Sequence, residues 1–410
     1  MRFLIVIDSL SLDDSSGTKG RVALIKNLIS LGNTVKILHY TKKNTQIQGA
    51  TCISIVEKKI SFNFLLSRCQ RLLKRYLKIN IHKTLENTFG FSFTFLNDSN
   101  SISNAISKYY DNENIIMTLS KGASFRPHYA MLKYPNLHHK WLAYIHDPYP
   151  FCYYPKPYNW EEPGCQQKLI FFNEVAKHCK WVVYPSQLLK EWMENKFQGF
   201  KSKGLIIPHQ IDDGINISTI LPKYFNAKKF TLLHAGNLMK QRNPIPLIKA
   251  FQIFLNQMPA ASENVQLLLI GSASYHKNVL MDYSNITPQL YVRYSNENFE
   301  NVMAMQKKAS VNIILEAVSQ ASPFLPGKFP HLVISNKPIL YLGPKNSETL
   351  RLLGKDYPFA SKANDVSDIV KKISFLYENW FNNSKVRFDR PDLKNYLSKQ
   401  YLDSLISQLN

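Results

Sequence analysis

The chain has 410 residues, 45% hydrophobic and 20% charged, a balance that excludes a disordered or fibrous protein and, at this length, favours two packed domains over a single core. Its 51 Lys and Arg residues against 29 Asp and Glu give a formal net charge of +22, which implies attraction to a phosphate-bearing partner: a nucleotide, a nucleic acid or an anionic lipid. The five cysteines, Cys52, Cys69, Cys152, Cys165 and Cys179, are odd in number and form no C-x-x-C pair, which argues against a disulfide framework or a zinc knuckle and for a reducing cytosol.

Met1 to Asp8 holds too few apolar residues for a signal-peptide core or a membrane span and reads as a first buried strand, Phe3 to Ile7. A polar loop from Asp8 to Gly20, a helical pattern from Val22 to Leu31, Gly32 as its C-terminal cap and a strand from Thr34 to His39 complete a βαβ opening. From Lys58 to Lys83 there are eight basic residues and no acidic one. Helical spacing across Leu65 to Lys78 gathers Leu65, Leu66, Cys69, Leu72, Leu73, Tyr76 and Leu77 on one arc and Arg68, Arg71, Lys74, Arg75 and Lys78 on the other. Two readings stay open for residues 62–78: a helix lying on an anionic membrane surface, or a helix packed on the core with a solvated basic face. No window is long and apolar enough to predict a membrane span, so membrane contact is expected to be peripheral.

Further strands are predicted at Asn114 to Thr118, Lys140 to Ile145, Trp181 to Tyr184 and Gly204 to Ile207, the alternation of a doubly wound parallel sheet. Tyr144-Ile145-His146-Asp147-Pro148 sets polar residues just after an apolar strand, at the carboxyl end of the sheet, where ligands bind in such folds. His146 and Asp147 are therefore catalytic candidates, and capping of the next turn is the structural alternative. The first domain is placed at residues 1–210, a polar linker at 211–223 and a second domain at 224–410, whose last helix is a candidate to return to the first domain.

The second domain repeats the pattern, with strands at Phe230 to His234, Val265 to Ile270, Leu290 to Arg293, Val311 to Leu315 and Pro338 to Leu342. Amphipathic stretches at Pro246 to Gln257, Glu300 to Lys308 and Val366 to Glu378 alternate with them. After its first strand, Gly236-Asn237-Leu238-Met239-Lys240-Gln241-Arg242 lets the backbone approach a ligand at Gly236 and offers Lys240 and Arg242 as cations. Pro326-Gly327-Lys328-Phe329-Pro330-His331 puts Lys328 beside a helix N-terminus. Three cations on two loops suit a diphosphate better than one carboxylate.

These motifs, Gly-Asn-Leu with Arg242-Asn243-Pro244, then Ile270-Gly271, then Pro-Gly-Lys with Lys337-Pro338-Ile339-Leu340 downstream, resemble the donor-binding half of GT-B glycosyltransferases of the retaining family 4 type. The resemblance implies an α/β fold of two Rossmann-like doubly wound domains facing a central cleft, with the acceptor on the first domain and a nucleotide-sugar donor on the second. It implies donor binding by Gly236, Asn237, Lys240, Arg242, Gly271, Lys328 and His331, and transition-state roles for Arg242 and Lys328. His146 resembles the histidine that family members place near the donor sugar. Gly17, Lys19 and Gly20 resemble the glycine loop over the diphosphate and acceptor, a plain turn being the alternative. Two departures stand out: Asn237 replaces the usual Arg, and His331 replaces the ribose-binding Glu, with Pro323 in place of the first Glu of the paired motif.

The implied reaction is transfer of a sugar from a nucleotide-sugar to a glycan or lipid-linked acceptor with retention, in bacterial cell-surface polysaccharide synthesis, without cofactor or metal. No Asp-x-Asp pattern is present. An epimerase of the same fold and a catalytically lapsed nucleotide- or glycan-binding protein are the alternatives. No segment interleaves aromatic and basic residues in register, so nucleic acid is not expected as a partner. The expected setting is the cytoplasm, at the inner face of the membrane.

Overall fold

The structure, a computed structural model, describes residues 1–11, 16–41, 44–150, 156–158, 160–212, 214, 217–218, 220–383, 386 and 388–409. Ser15, Cys152 and parts of the expected linker lie outside the described residues.

Seven parallel strands form the first sheet: β1 (Arg2–Ile7), β2 (Thr34–His39), β3 (Ala50–Ser54), β4 (Ile115–Leu119), β5 (Trp141–Tyr144), β6 (Trp181–Tyr184) and β7 (Gly204–Ile206), in the order β3-β2-β1-β4-β5-β6-β7. The second sheet draws on β8 (Phe230–Ala235), β9 (Val265–Ile270), β10 (Leu290–Arg293), β11 (Val311–Leu315), β13 (Ile339–Leu342) and β15 (Ala360–Ser361), ordered β10-β9-β8-β11-β13-β15. The short strands β12 (Ala321–Ser322) and β14 (Asn346–Ser347) pair beside it. The unbroken apolar run Phe3 to Ile7 in β1 and the fully buried β9, apolar but for Gln266, are what central parallel strands covered by helices on both faces require. The expected pair of doubly wound parallel sheets is present. Strand order reverses between β1 and β4 in one sheet and between β8 and β11 in the other, and the carboxyl ends at such reversals are where ligands bind.

The first helix departs from expectation. It spans Ser16–Ser30, so Gly17, Lys19 and Gly20 form its first turn instead of a loop. First-turn N–H groups have no intrahelical acceptor, so weak helix formers cost little there, and tertiary contact decides. The fully buried Thr18 and Arg21 anchor this turn, and a Cβ on Gly20 would stand 2.9 Å from His209 Nδ1. The helix Phe93–Tyr109 gave no clear periodic signal, because its inner face buries Asn97, Asp98, Ser99, Ser101 and Ser103 beside Phe95, Ile102 and Ile106. β3, Ala-Thr-Cys-Ile-Ser, is short, mixed in polarity and half exposed at the sheet edge, and so gives no apolar run to predict it.

The chain's end packs on the first sheet's core, where Leu402, Ile406 and Leu409 join Phe3, Ile5, Leu24 and Leu28. Between the halves, Ser186 Oγ donates to Pro323 O at 2.5 Å and the Leu188 N–H donates to the buried Glu348 at 3.2 Å. Ile211, at the start of the expected linker, is buried and its N–H donates to Leu397 O at 2.9 Å.

Candidate functional site

In the second sheet the loop after β8 is drawn over the end of β9. The Gly236 N–H donates to Ile270 O at 2.8 Å and the Leu238 N–H to Ser272 O at 2.8 Å. Gly271 makes this approach possible: its φ is +135°, and a Cβ there would lie 2.5 Å from Gly236 O. Asn237 Oδ1 accepts from the Ser272 N–H at 3.2 Å, so the residue standing in place of an arginine ties the two loops together.

Lys328 reaches the same place. Its Nζ donates to Ile313 O at 2.9 Å and Ala235 O at 3.3 Å, and lies 3.3 Å from His234 Nδ1. A Cβ on Gly236 would be 3.6 Å from that ammonium. The cation thus sits on the strand ends at the β8–β11 reversal. Burial, and then the Arg242 charge, push its pKa down to about 7, opposed by Glu316. His234 is buried and held neutral by desolvation and by the Lys328 and Arg242 charges. Glu316, the residue after β11, is buried; it accepts from Thr349 Oγ1 at 2.7 Å and Tyr341 OH at 3.2 Å, and burial raises its pKa. The long 3.3 Å bonds of Lys328 are the ones an incoming anion can replace.

The first sheet has a matching arrangement. Arg21 is buried and donates to Ser120 O at 3.1 Å and Thr18 Oγ1 at 2.8 Å, which places a second cation on the β1–β4 reversal. Ser120 Oγ accepts from the His146 N–H at 3.1 Å and lies 3.1 Å from His146 Nδ1. The imidazole stacks on Tyr144 at 4.1 Å and is kept neutral by burial and by the Arg21 charge. Burial raises Asp147 to about 6, with Arg21 and Arg242 pulling it down. Asp147 on the first sheet therefore feels a cation from each half, and the two reversals face one another.

The predicted residues do not all converge. Gly236, Gly271, Arg242, Lys328 and Asp147 share one electrostatic neighbourhood, with His146 joined through Ser120 and Arg21. Lys240 stands apart: it is exposed, with its ammonium 5.4 Å from the Tyr275 ring centre. His331 lies in a second junction, buried edge-on to Phe299 at 5.1 Å, with its pKa down to about 4 from burial and then the Lys19 charge. Lys19, from the first half, sits 4.0 Å from that Phe299 ring. His209 borders both junctions and is likewise lowered to about 4, mainly by burial. Arg21, Glu316, His209 and His234 were not singled out from the sequence, although Glu316 stands directly after an apolar strand, as His146 and Asp147 nearly do. Among the described residues no group of three or more His, Cys, Asp or Glu is placed to hold a metal ion.

No family model matches the sequence, and neither does any curated protein. Solved structures do match. A trehalose-6-phosphate synthase, OtsA, superposes with a TM-score of 0.67 at 10% identity, covering 100% of this chain and 99% of its own. The N-terminal domain of a trehalose-6-phosphate phosphatase from Candida albicans gives 0.62 at 13%, covering 99% and 96%. A UDP-forming α,α-trehalose-phosphate synthase from Burkholderia xenovorans, in complex with glucose-6-phosphate, gives 0.62 at 8%, covering 100% of both. At these identities the likeness is one of fold, the two-domain GT-B arrangement. The motifs resemble family 4, whereas these synthases are retaining family 20 enzymes.

Proposed function

We propose that this chain is a retaining glycosyltransferase that moves a sugar from a nucleotide-sugar to a hydroxyl acceptor. The observation that carries it is the pair of cations, Lys328 and Arg242, gathered with the Gly236 and Gly271 loops at the β8–β11 reversal and facing Asp147 and His146. In this reading the donor diphosphate lies on Gly236 beside Lys328 and Arg242. As the bond from the anomeric carbon to the diphosphate oxygen breaks, charge grows on the leaving group and both cations stabilise it more than the ground state. The acceptor oxygen bonds to the same carbon and loses its proton, for which Asp147 is a carboxylate at the facing sheet end. His146, engaged with Ser120 through Nδ1, leaves Nε2 for a hydrogen bond with a sugar hydroxyl. His331, neutral and packed against Phe299, does not supply a ribose-binding carboxylate, so donor selection on this chain rests on other groups.

The UDP-forming activity in the names of similar structures puts UDP-sugars first in a thermal-shift panel that also holds GDP- and dTDP-sugars. A ligand at about 100 times its Kd stabilises by about 2.7 kcal/mol, and at least one donor is expected to do so. A flat response to the whole panel would sink the reading. Binding without sugar transfer to any acceptor would assign a binding protein instead.

We further propose that the acceptor is a lipid-linked precursor of a cell-surface polysaccharide, met at an anionic membrane surface. The helix Phe62–Tyr76 supports this, since much of its apolar surface is left uncovered: Leu66 and Leu73 are half-buried, but Phe62 is 74% exposed, Leu65 59%, Leu72 52% and Tyr76 70%. Among its residues only Ser67 is buried. Exposed apolar side chains interleaved with Arg68, Arg71, Lys74 and Arg75 suit the headgroup region, each cation near the surface contributing about 1 kcal/mol. No helix among the described residues is long and apolar enough to cross a membrane. The chain is expected to float with phosphatidylglycerol-rich vesicles and not with phosphatidylcholine vesicles, and Leu65→Glu/Leu72→Glu is expected to abolish flotation. Equal recovery of the variant would remove the membrane proposal.

A further inference from the structure

A cavity of about 550 Å³ opens beside the helix Phe62–Tyr76, and its charged lining consists of Arg71, Lys74, His82, Lys83 and Arg126. Among the described residues, the rest of its wall is amide and hydroxyl side chains, with no Asp or Glu. We propose that this cavity binds the phosphoryl or diphosphoryl group of the acceptor. The proposal rests on the transferase reading above for the word acceptor, and on the cavity alone for the anion.

Two of the cations are held in place. Arg71 Nε and Nη2 donate to Ser67 O at 3.3 Å and Ser67 Oγ at 3.2 Å, which fixes the guanidinium plane. Arg126 lies 3.5 Å from Asp8 and 3.3 Å from Asp98, both buried carboxylates. His82 is 3.5 Å from Glu86 across one helical turn. Lys74 and Lys83 have no carboxylate within ion-pair distance among the described residues, so their charge is uncompensated at the cavity wall. A carboxylate ligand would leave most of this charge unmatched. A diphosphate, with two or more charges and many acceptor oxygens, engages guanidinium forks and point-charge ammoniums together.

Position strengthens the case. Arg126 begins the helix Arg126–Met131, and its partner Asp8 is the residue after β1, so one wall of the cavity is tied to the end of β1 in the acceptor-side sheet. The exposed Tyr76, Leu77 and Ile79 of the proposed membrane face stand in the chain between the lining residues Lys74 and Asn80.

Calorimetric titration of the full chain, saturated with UDP to block the donor side, tests this with inorganic pyrophosphate and with farnesyl diphosphate at physiological ionic strength. Both probes are expected to bind, and Lys74→Ala/Lys83→Ala to weaken binding at least tenfold. Lys228→Ala/Lys355→Ala, an equal loss of charge elsewhere on the surface, is expected to leave it unchanged. Farnesyl diphosphate binding tighter than pyrophosphate identifies a lipid headgroup as the source, while equal affinities identify a soluble phosphorylated acceptor; both support the site. Absence of binding, equal weakening by the two double variants, or loss of binding in Lys328→Ala with retention in Lys74→Ala/Lys83→Ala would overturn it. A chain that binds no nucleotide-sugar yet keeps the Lys74- and Lys83-dependent titration would overturn the transferase reading alone.

Discussion

Lys328→Ala is expected to lower kcat/KM on the order of 10³-fold, with loss of UDP-sugar stabilisation in the thermal-shift panel. Removing one preorganised donor aimed at a developing anion costs roughly 10²–10³, about 3–4 kcal/mol, and here the lost group is also a full charge. The variant should remain folded. It removes a donor from Ala235 O and from Ile313 O, the latter still hydrogen-bonded to His234, at a cost of about 1–3 kcal/mol, but it also removes an ammonium that burial and Arg242 already disfavour. Lys328→Arg is not expected to rescue, since a planar fork does not fit the space between two strand ends and Gly236.

The pH dependence has a definite sign. With a pKa of about 7 in the unliganded protein, Lys328 loses its charge as pH rises through neutrality, and a diphosphate selects the charged form. UDP affinity is therefore expected to fall by up to about tenfold per unit above pH 7, a slope absent from Lys328→Ala. Stability of the unliganded chain runs the other way. The unfolded lysine binds its proton more tightly than the folded one, so this group's penalty is fully present below about pH 7 and is relieved as pH rises toward 10.5, the ordinary lysine value. A titration of UDP binding that is flat from pH 6.5 to about 8.5 would contradict the assignment of Lys328 to the diphosphate.

Gly271→Ala is the second large effect, expected to cost about 3 kcal/mol or more in stability and to abolish donor binding. The added Cβ would meet Gly236 O at 2.5 Å and Gly236 C at 2.8 Å, backbone atoms that cannot rotate away, at a φ of +135° that an L side chain rarely adopts. Relief requires moving the Gly236 loop off β9, which breaks the Gly236 N–H to Ile270 O bond and displaces the backbone beside Lys328. Gly214→Ala, whose Cβ would meet nothing closer than Asp212 Oδ1 at 3.4 Å, is the control and should be near neutral. Urea unfolding of both variants, paired with UDP titration, separates strain from site loss; an unchanged midpoint for Gly271→Ala would refute the packing account.

Much of the architecture could be read from local pattern. Val265–Ile270 and Val311–Leu315 are delimited to the residue because a central parallel strand, buried throughout, reads as a mainly apolar run, and the edge strand Leu290–Arg293 because its apolar start ends at a basic residue. Lys328 and Gly271 were legible for a related reason: strand ends at a reversal need a glycine where chains close in and favour a cation where carbonyls converge. Where burial contradicts composition the pattern failed. The helix Phe93–Tyr109 hides a face of buried serines and asparagine, and the first turn at Ser16 is held by contacts from His209, nearly 190 residues away in the chain.

The sequence by itself determined the alternation of elements, the two parallel sheets and the glycine-and-cation loops, since each follows from neighbours a few residues apart. Only the tertiary structure decided which cations act together. Lys240 is as basic as Arg242 and two residues from it, yet it turns to Tyr275, while Arg21 and Glu316 enter the site from separate elements. The exposure of the Phe62–Tyr76 apolar arc was likewise undecidable from periodicity, because an amphipathic stripe is identical whether a core or a membrane covers it. Charge proximity and burial are properties of the packed chain, and at this site they set which groups carry a proton, and therefore which can hold a diphosphate.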